Sequence, residues 1–239
     1  MSQRSQTGRS RCTGLVLLLG ALAPSAFAGQ LDKAVLGELN SGGWREVERD
    51  ASVGLVVSSK KLQSVGLTAY MGVQDLPGNV EPERLWRVVS DVDKHDSFSP
   101  RLVESTVVRR DVAGIDFYQV LKAPPLVAGA QRYWFVHTEL ERDLNGVKGH
   151  HRRCWSKLAV SELADERAAV AKRYPSAMEV AVTHGCWEVL PAVGDGTPAR
   201  LRYRTVSDPG GHLPASLAAM LTSRALPENL AVFLRQAAR

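Results

Sequence analysis

The chain has 239 residues and carries 30 lysines and arginines against 25 acids, a net charge of +5. The first 28 residues hold three arginines and no acid, so the remainder carries only +2; that near balance argues against nucleic acid or a strongly anionic surface as the main partner. No internal repeat, low-complexity tract or linker divides the chain, which leaves room for one domain.

Arg4, Arg9 and Arg11, the apolar run from Gly14 to Ala23 and the triplet Ala26-Phe27-Ala28 have the form of an export signal, with cleavage expected after Ala28 and a periplasmic or secreted product. The apolar run is well short of the roughly 20 residues that cross a bilayer. Residues 29–239 then make the single domain. Residues 30–40 predict a short helix with Leu31, Val35, Leu36 and Leu39 on one side. Trp44 to Asp50 predicts a strand, and Val53, Leu55 and Val57 alternate in the next. Val65, Leu67, Ala69, Met71 and Val73 alternate with Gly66, Thr68, Tyr70, Gly72 and Gln74, the period of a half-buried antiparallel strand. Glu81-Pro82-Glu83 opens a helix whose apolar side is Leu85, Trp86, Val88, Val89 and Val92.

Strands then recur quickly. Residues 102–110 and 115–122 flank a turn at Asp111–Gly114, and 132–141 leads to Asn145-Gly146, the strongest hairpin signal in the chain, with a return strand from about Val147 to Leu158. Residues 123–130 form an apolar loop with two adjacent prolines. Residues 160–174 are rich in Ala, Glu and Arg and predict a helix that ends before Pro175. Residues 178–190 place Ala181, Thr183, Gly185, Trp187 and Val189 on one face of a strand. The last strand sets Leu201, Tyr203 and Thr205 inward and Arg200, Arg202 and Arg204 outward, the arginines reading as a solvated stripe.

Residues 207–236 are read as a hinge and a lid helix. Pro209, Gly210 and Gly211 cannot continue a strand, and Pro214 suits a first helical turn. Leu213, Leu217, Met220 and Leu221 follow at helical spacing, and Leu226, Leu230, Phe233 and Leu234 repeat it beyond Pro227, where a kink is predicted. About nine antiparallel strands with helices set apart give an α+β fold. A curved sheet of that size has a concave face to cover, and the C-terminal helix is the long apolar element left to cover it.

Chemistry leaves little mark. His95, His137, His150, His151, His184 and His212 are scattered, and adjacent His150 and His151 point to opposite faces of a strand. No HExxH, GxSxG or glycine-rich phosphate loop occurs. The expectation is therefore binding rather than catalysis, with no metal and no cofactor. Cys154 and Cys186 are each followed by Trp; if both tryptophans face inward, both thiols face outward, and a disulfide across neighbouring strands and two free thiols are both open.

The segments Gly185-Cys186-Trp187-Glu188, Tyr203 and Ser207–Pro214 resemble the closing signature of bacterial START-type lipid-binding domains. Lys122-Ala123-Pro124-Pro125 with Gln131-Arg132-Tyr133-Trp134 is similar to that family's Pro-rich loop and Arg-Asp-Tyr motif, and Asp91 and Tyr118-Gln119 also fit. The resemblance implies the helix-grip fold, a curved antiparallel sheet around a long C-terminal helix enclosing an apolar cavity, with Leu213–Leu234 and Ala123–Ala130 as the lid. Two departures stand out: Tyr133 replaces the acid of the Arg-Asp-Tyr motif, which removes any ion pair built on it, and the segment Ala159–Ala177 is long.

On that reading the cavity is lined by Val65, Leu67, Met71, Tyr118, Trp134, Trp155, Trp187 and Tyr203, closed by Leu213, Leu217, Met220 and Leu221, with Arg132 as polar anchor and Pro209, Gly210 and Gly211 as hinge. The expected ligand is a lipid, sterol or other hydrophobic small molecule, bound by a monomer that touches membranes transiently. Two alternatives remain: a polyketide cyclase or aromatase on the same fold using Tyr118, Arg132 and Asp116, and a protein-interaction module carried by the Ala159–Ala177 segment.

Overall fold

The computed structural model describes residues 24–122, 131–194, 196–210 and 215–239, without the side chains of 24–29 and 215–222. Residues 1–23, most of the expected export signal 1–28, the Pro-rich segment 123–130, Gly211, His212, Leu213 and Pro214 lie outside the described residues, as do the side chains of Leu217, Met220 and Leu221.

One sheet organises the chain. At one end β1 (Arg45–Asp50), β2 (Leu55–Lys61) and β3 (Thr68–Asp75) form an antiparallel meander. At the other end lie β4 (Leu102–Asp111), β5 (Gly114–Leu121) and β6 (Arg132–Glu141). Between them run β7 (His151–Lys157), the two-residue β8 (Met178–Glu179), β9 (Val182–Leu190) and β10 (Arg200–Asp208), giving the order β1-β2-β3-β10-β9-β7-β6-β5-β4. All neighbours on that path are antiparallel; only β8, beside β6, is parallel. The sheet is open and curved.

Helices cover both faces. On the concave face sit α2 (Pro82–Ser90), the short α3 (His95–Phe98) and α5 (Ala215–Ala237), around a core of Leu85, Trp86, Phe117, Trp187, Leu226 and Leu230. On the outer face α1 (Pro24–Asn40) buries Val35 and Leu39 against Leu62, Ala69 and Val206. Further along the same outer face α4 (Ala164–Arg173) buries Val170 against Tyr118, Val120 and Phe135. The fold is α+β, as the pattern of strands and helices implies, and takes the helix-grip form that the family resemblance implies.

This two-sided cover explains where the sequence pattern misled. The apolar row of β3 alternates as read, but it turns outward, toward α1. Val65 and Leu67 pack with Val35 and Leu39, and Met71 pairs in register with Ser58 and Arg204 on the same outer face. The inner row is Tyr70, Gly72 and Gln74. A Cβ at Gly72 would collide with the Leu226 and Leu230 side chains, so the glycine sits where α5 comes nearest the sheet.

Other boundaries move as well. The first helix begins at Pro24, ahead of Gln30, and Leu31 lies on its exposed side. After Asn145-Gly146 the return strand starts only at His151, because Asp143, Asn145 and Gly146 all take positive φ in a wider turn. Pro227 lies within the single helix α5. The Ala159–Ala177 segment is built into the sheet: Arg167 donates to the carbonyls of Leu158, Ala159 and Glu162 and pairs with Glu179, and Tyr174 donates to Glu104.

Candidate functional site

Between the inner sheet face and α5 lies a hollow of about 140 Å³. The hollow is partly open to the surface, as a site that admits a ligand must be. Its walls are aromatic: Phe117, Trp134, Trp155, Trp187 and Tyr203 from the sheet and Phe233 from α5. Strand register assembles them, with Trp187 opposite Tyr203, Trp155 opposite Gly185 and Trp134 opposite Gln119. Trp187 stacks on Tyr203 with centroids 4.1 Å apart and meets Phe233 at 4.4 Å. A Cβ at Gly185 would strike the Trp155 ring and the Arg204 carbonyl, so the glycine clears the space Trp155 fills.

A short polar chain runs along one side. His95 shares a hydrogen bond of 3.2 Å between Nε2 and the Val88 carbonyl. A carbonyl only accepts, so Nε2 carries the proton and Nδ1 accepts from Gln119 Nε2 at 3.3 Å. Gln119 also donates to Ser105 Oγ at 2.9 Å, and Ser105 donates to the Val92 carbonyl at 2.6 Å. Burial holds His95 down to about 3, with the nearby Arg153 charge acting in the same direction, so the ring is neutral.

Among the described residues at the hollow, Arg153 has buried side-chain nitrogens left without a partner. It is 3% exposed, and its Nε and Nη1 are buried without a hydrogen-bond partner. The Phe117 ring lies 5.7 Å from its guanidinium carbon. Burial pulls its pKa down to about 9, which leaves it charged at neutral pH. Arg101, which also lines the hollow, is paired with Glu228 of α5 at 2.8 Å.

On the outer face of the same strands the buried charges meet opposite charges, although Arg202 Nε and Arg204 Nε themselves make no hydrogen bond. Glu188 receives Arg204 at 2.6 Å, Arg202 at 3.2 Å and His150 at 2.6 Å, and Arg204 also reaches the Leu39 carbonyl of α1. Burial alone would raise the Glu188 carboxyl; these three groups hold it below its usual range. The expected solvated arginine stripe is thus in part a buried one, because α1 covers it and leaves Arg204 5% exposed. Next to this cluster a disulfide joins Cys154 and Cys186 on facing positions of β7 and β9.

Of the sequence-read cavity residues, Trp134, Trp155, Trp187 and Tyr203 meet at the hollow. Val65 and Leu67 do not, being under α1, nor does Met71, whose register partners Ser58 and Arg204 put it on the outer face. Tyr118 is also on the outer face, beneath α4, donating to Glu104 and accepting from Arg173. Arg132 shares the inner face with Trp134, but it donates to the Pro209 carbonyl at 2.8 Å, tying β6 to the turn before α5. That turn is further held by the Gly210 N–H donating to Asp208 at 2.9 Å, with Gly210 at φ 70°. From α5 the described lining is Ala225, Asn229 and Phe233, beyond the first apolar stripe. The cyclase candidates are dispersed: Asp116 faces outward, bonded to Arg109 at 2.5 Å and His137 at 2.6 Å. Sequence reasoning missed His95, Gln119 and Arg153. Alternation was signal enough for the last, which stands two residues from inward-facing Trp155. Among the described residues no cluster of three or more His, Cys, Asp or Glu is arranged to hold a metal.

The fold these elements build is START-type. No protein-family profile and no curated protein matches the sequence. Solved structures do. A STAR-related lipid transfer protein from Xanthomonas axonopodis superposes with a TM-score of 0.64 at 15% identity, over 83% of this chain and 100% of that one. Human StAR-related lipid transfer protein 5 gives a TM-score of 0.64 at 14% identity, over 90% of this chain and 97% of that one.

Proposed function

We propose that this chain binds a hydrophobic small molecule, a lipid or a lipid-like compound, in the hollow between the sheet and α5, and carries it as an exported protein. The observation that carries the reading is the aromatic-walled, partly open space of about 140 Å³ between the sheet and α5. The named lipid-transfer proteins of the same fold support it. Ligand pockets commonly measure roughly 300–1,000 Å³, so a full-sized lipid needs α5 to draw back from the sheet. The contacts to be released are those of Ala225, Asn229 and Phe233, while Arg132 and Asp208 keep the preceding turn fixed. Export rests on Arg4, Arg9, Arg11, the apolar run and the Ala26-Phe27-Ala28 triplet.

The test is to express the full-length chain in a bacterium, locate it by fractionation, and analyse solvent extracts of the purified protein by mass spectrometry. A hydrophobic compound near one equivalent per chain is expected, with the protein in the periplasm. Protein that purifies empty and takes up neither fatty acid, sterol nor phospholipid removes the binding reading. Retention in the cytoplasm removes export alone.

A further inference from the structure

The hollow has one charge without an answer. Among the described lining residues Arg101 has Glu228 and His95 is neutral, but Nε and Nη1 of Arg153 are buried without a hydrogen-bond partner, and no described carboxylate pairs with the guanidinium. Removing a guanidinium from water without an anion is unfavourable, and buried polar groups in native folds nearly always have partners. The position is imposed by the sheet. Arg153 faces Leu140 of β6 and Trp187 of β9, and its strand neighbours Arg152 and Cys154 point the other way.

We propose that the hollow takes an amphiphile with a single carboxylate, whose oxygens pair with Arg153 while its apolar body lies against Trp155, Trp187, Tyr203 and Phe233. This rests on the hydrophobic-ligand reading and gives it a chemical class. The planar guanidinium fork matches a carboxylate in two parallel hydrogen bonds. One unpaired cation balances one negative charge. A phosphomonoester, carrying about −1.5 to −2 at neutral pH, brings more than the site neutralises. A sterol or alcohol leaves the guanidinium charge uncompensated. The hollow holds roughly five water volumes, enough for the carboxylate and the first carbons of a chain, so the head group is received before α5 has to move.

The test is calorimetric titration of the full-length protein with dodecanoate and with dodecanol, which share an apolar body and differ in charge. The unmodified protein is expected to bind dodecanoate at least about 10-fold tighter than dodecanol. Arg153→Met should weaken dodecanoate about 30-fold or more and leave dodecanol within about threefold, while Arg153→Lys, a point charge without the fork, recovers part of the loss. Arg152→Met is the control: that arginine is next in the strand, faces outward and pairs with Glu141 at 2.8 Å, and its loss should not change either affinity. Equal binding of acid and alcohol by the unmodified protein, or full dodecanoate affinity in Arg153→Met, overturns the proposal. Should Arg153→Met fail to fold, the acid–alcohol comparison and Arg153→Lys decide. Dodecanol, cholesterol or phosphatidylcholine binding with no preference for the acid leaves the hydrophobic reading standing and removes the carboxylate. No binding of any of the four removes both.

Discussion

Arg153 and Arg204 are both buried arginines on the middle strands of one sheet, and they face opposite ways. Arg204 is 5% exposed and its pKa is drawn down to about 10 by burial, with Glu188 opposing. It is met by Glu188 at 2.6 Å and by the Leu39 carbonyl of α1. Arg153 is as deeply buried and has neither. The outer face under α1 completes its own charges and so is structural. The inner face leaves a charge for something else to complete, beside a space that can receive it. A buried ion pair says little about function; a buried cation facing an aromatic-walled pocket says a good deal.

The largest expected effect comes from breaking the outer face covalently. Cys154 and Cys186 are 32 residues apart in sequence, and cross-linking a loop of that length limits the unfolded chain by roughly 3 to 4 kcal/mol. Cys154→Ala with Cys186→Ala should lower stability by about that much in urea titration. The bond lies on the far side of the sheet from the hollow, so dodecanoate affinity of the folded protein should stay within about threefold. A tenfold loss would show that the two faces are coupled. Next comes Arg204→Met, which leaves Glu188 buried with only Arg202 and His150; a loss of about 2 to 3 kcal/mol is expected, against the larger penalty typical of a fully orphaned buried charge. An unchanged urea midpoint would mean that Arg202 and His150 suffice and that the outer cluster does not depend on α1.

The two faces were not equally legible in the sequence. The inner aromatic row of β7, β9 and β10 follows from alternation, because Trp155, Trp187 and Tyr203 have no reason to face water. β3 defeats the same argument. Its apolar row of Leu67, Ala69 and Met71 is real, but α1 offers it a second apolar surface, and alternation gives a strand's period without saying which face is inside. Gly72 was the better guide, since a residue without a side chain marks where another element presses in. Tyr118 misled for the same reason as Met71: α4 buries the outer face there. Arg153 was assigned no role although its neighbour Trp155 fixed its direction, because arginines on strands are expected to point to water. His95 carried no local pattern; its place at the hollow depends on Val88 and Gln119, which only the folded chain brings to it.

His95 supplies a test of the inner face by pH. Its folded value is held to about 3 by burial, against about 6.5 in an unfolded chain. Between those values the unfolded chain binds a proton that the folded one does not, so stability falls as pH is lowered through that window, by up to about 1.4 kcal/mol per pH unit from this group. Groups on the outer face titrate too, including His184, which burial lowers to about 4. The difference between the protein and His95→Gln isolates the inner contribution: the variant should lose stability less steeply between pH 6.5 and 4. Parallel curves would place a charged, solvated His95 outside the hollow.

The smallest expected effect is the most discriminating. Arg153→Met replaces a desolvated cation with an apolar side chain that can pack against Phe117 and Trp187. Because no carboxylate among the described residues loses a partner, the empty protein should be as stable as the unmodified one or more stable by about 1 kcal/mol, whereas the same substitution at Arg204 destabilises it. Urea titration of both variants without ligand makes the contrast direct. A residue kept at some expense to the empty fold is one whose use comes with the ligand, so adding dodecanoate should reverse the order, stabilising the unmodified protein and leaving Arg153→Met nearly unmoved. If Arg153→Met instead costs as much as Arg204→Met, Arg153 is a structural group whose partner lies within the protein, and the asymmetry between the two faces disappears.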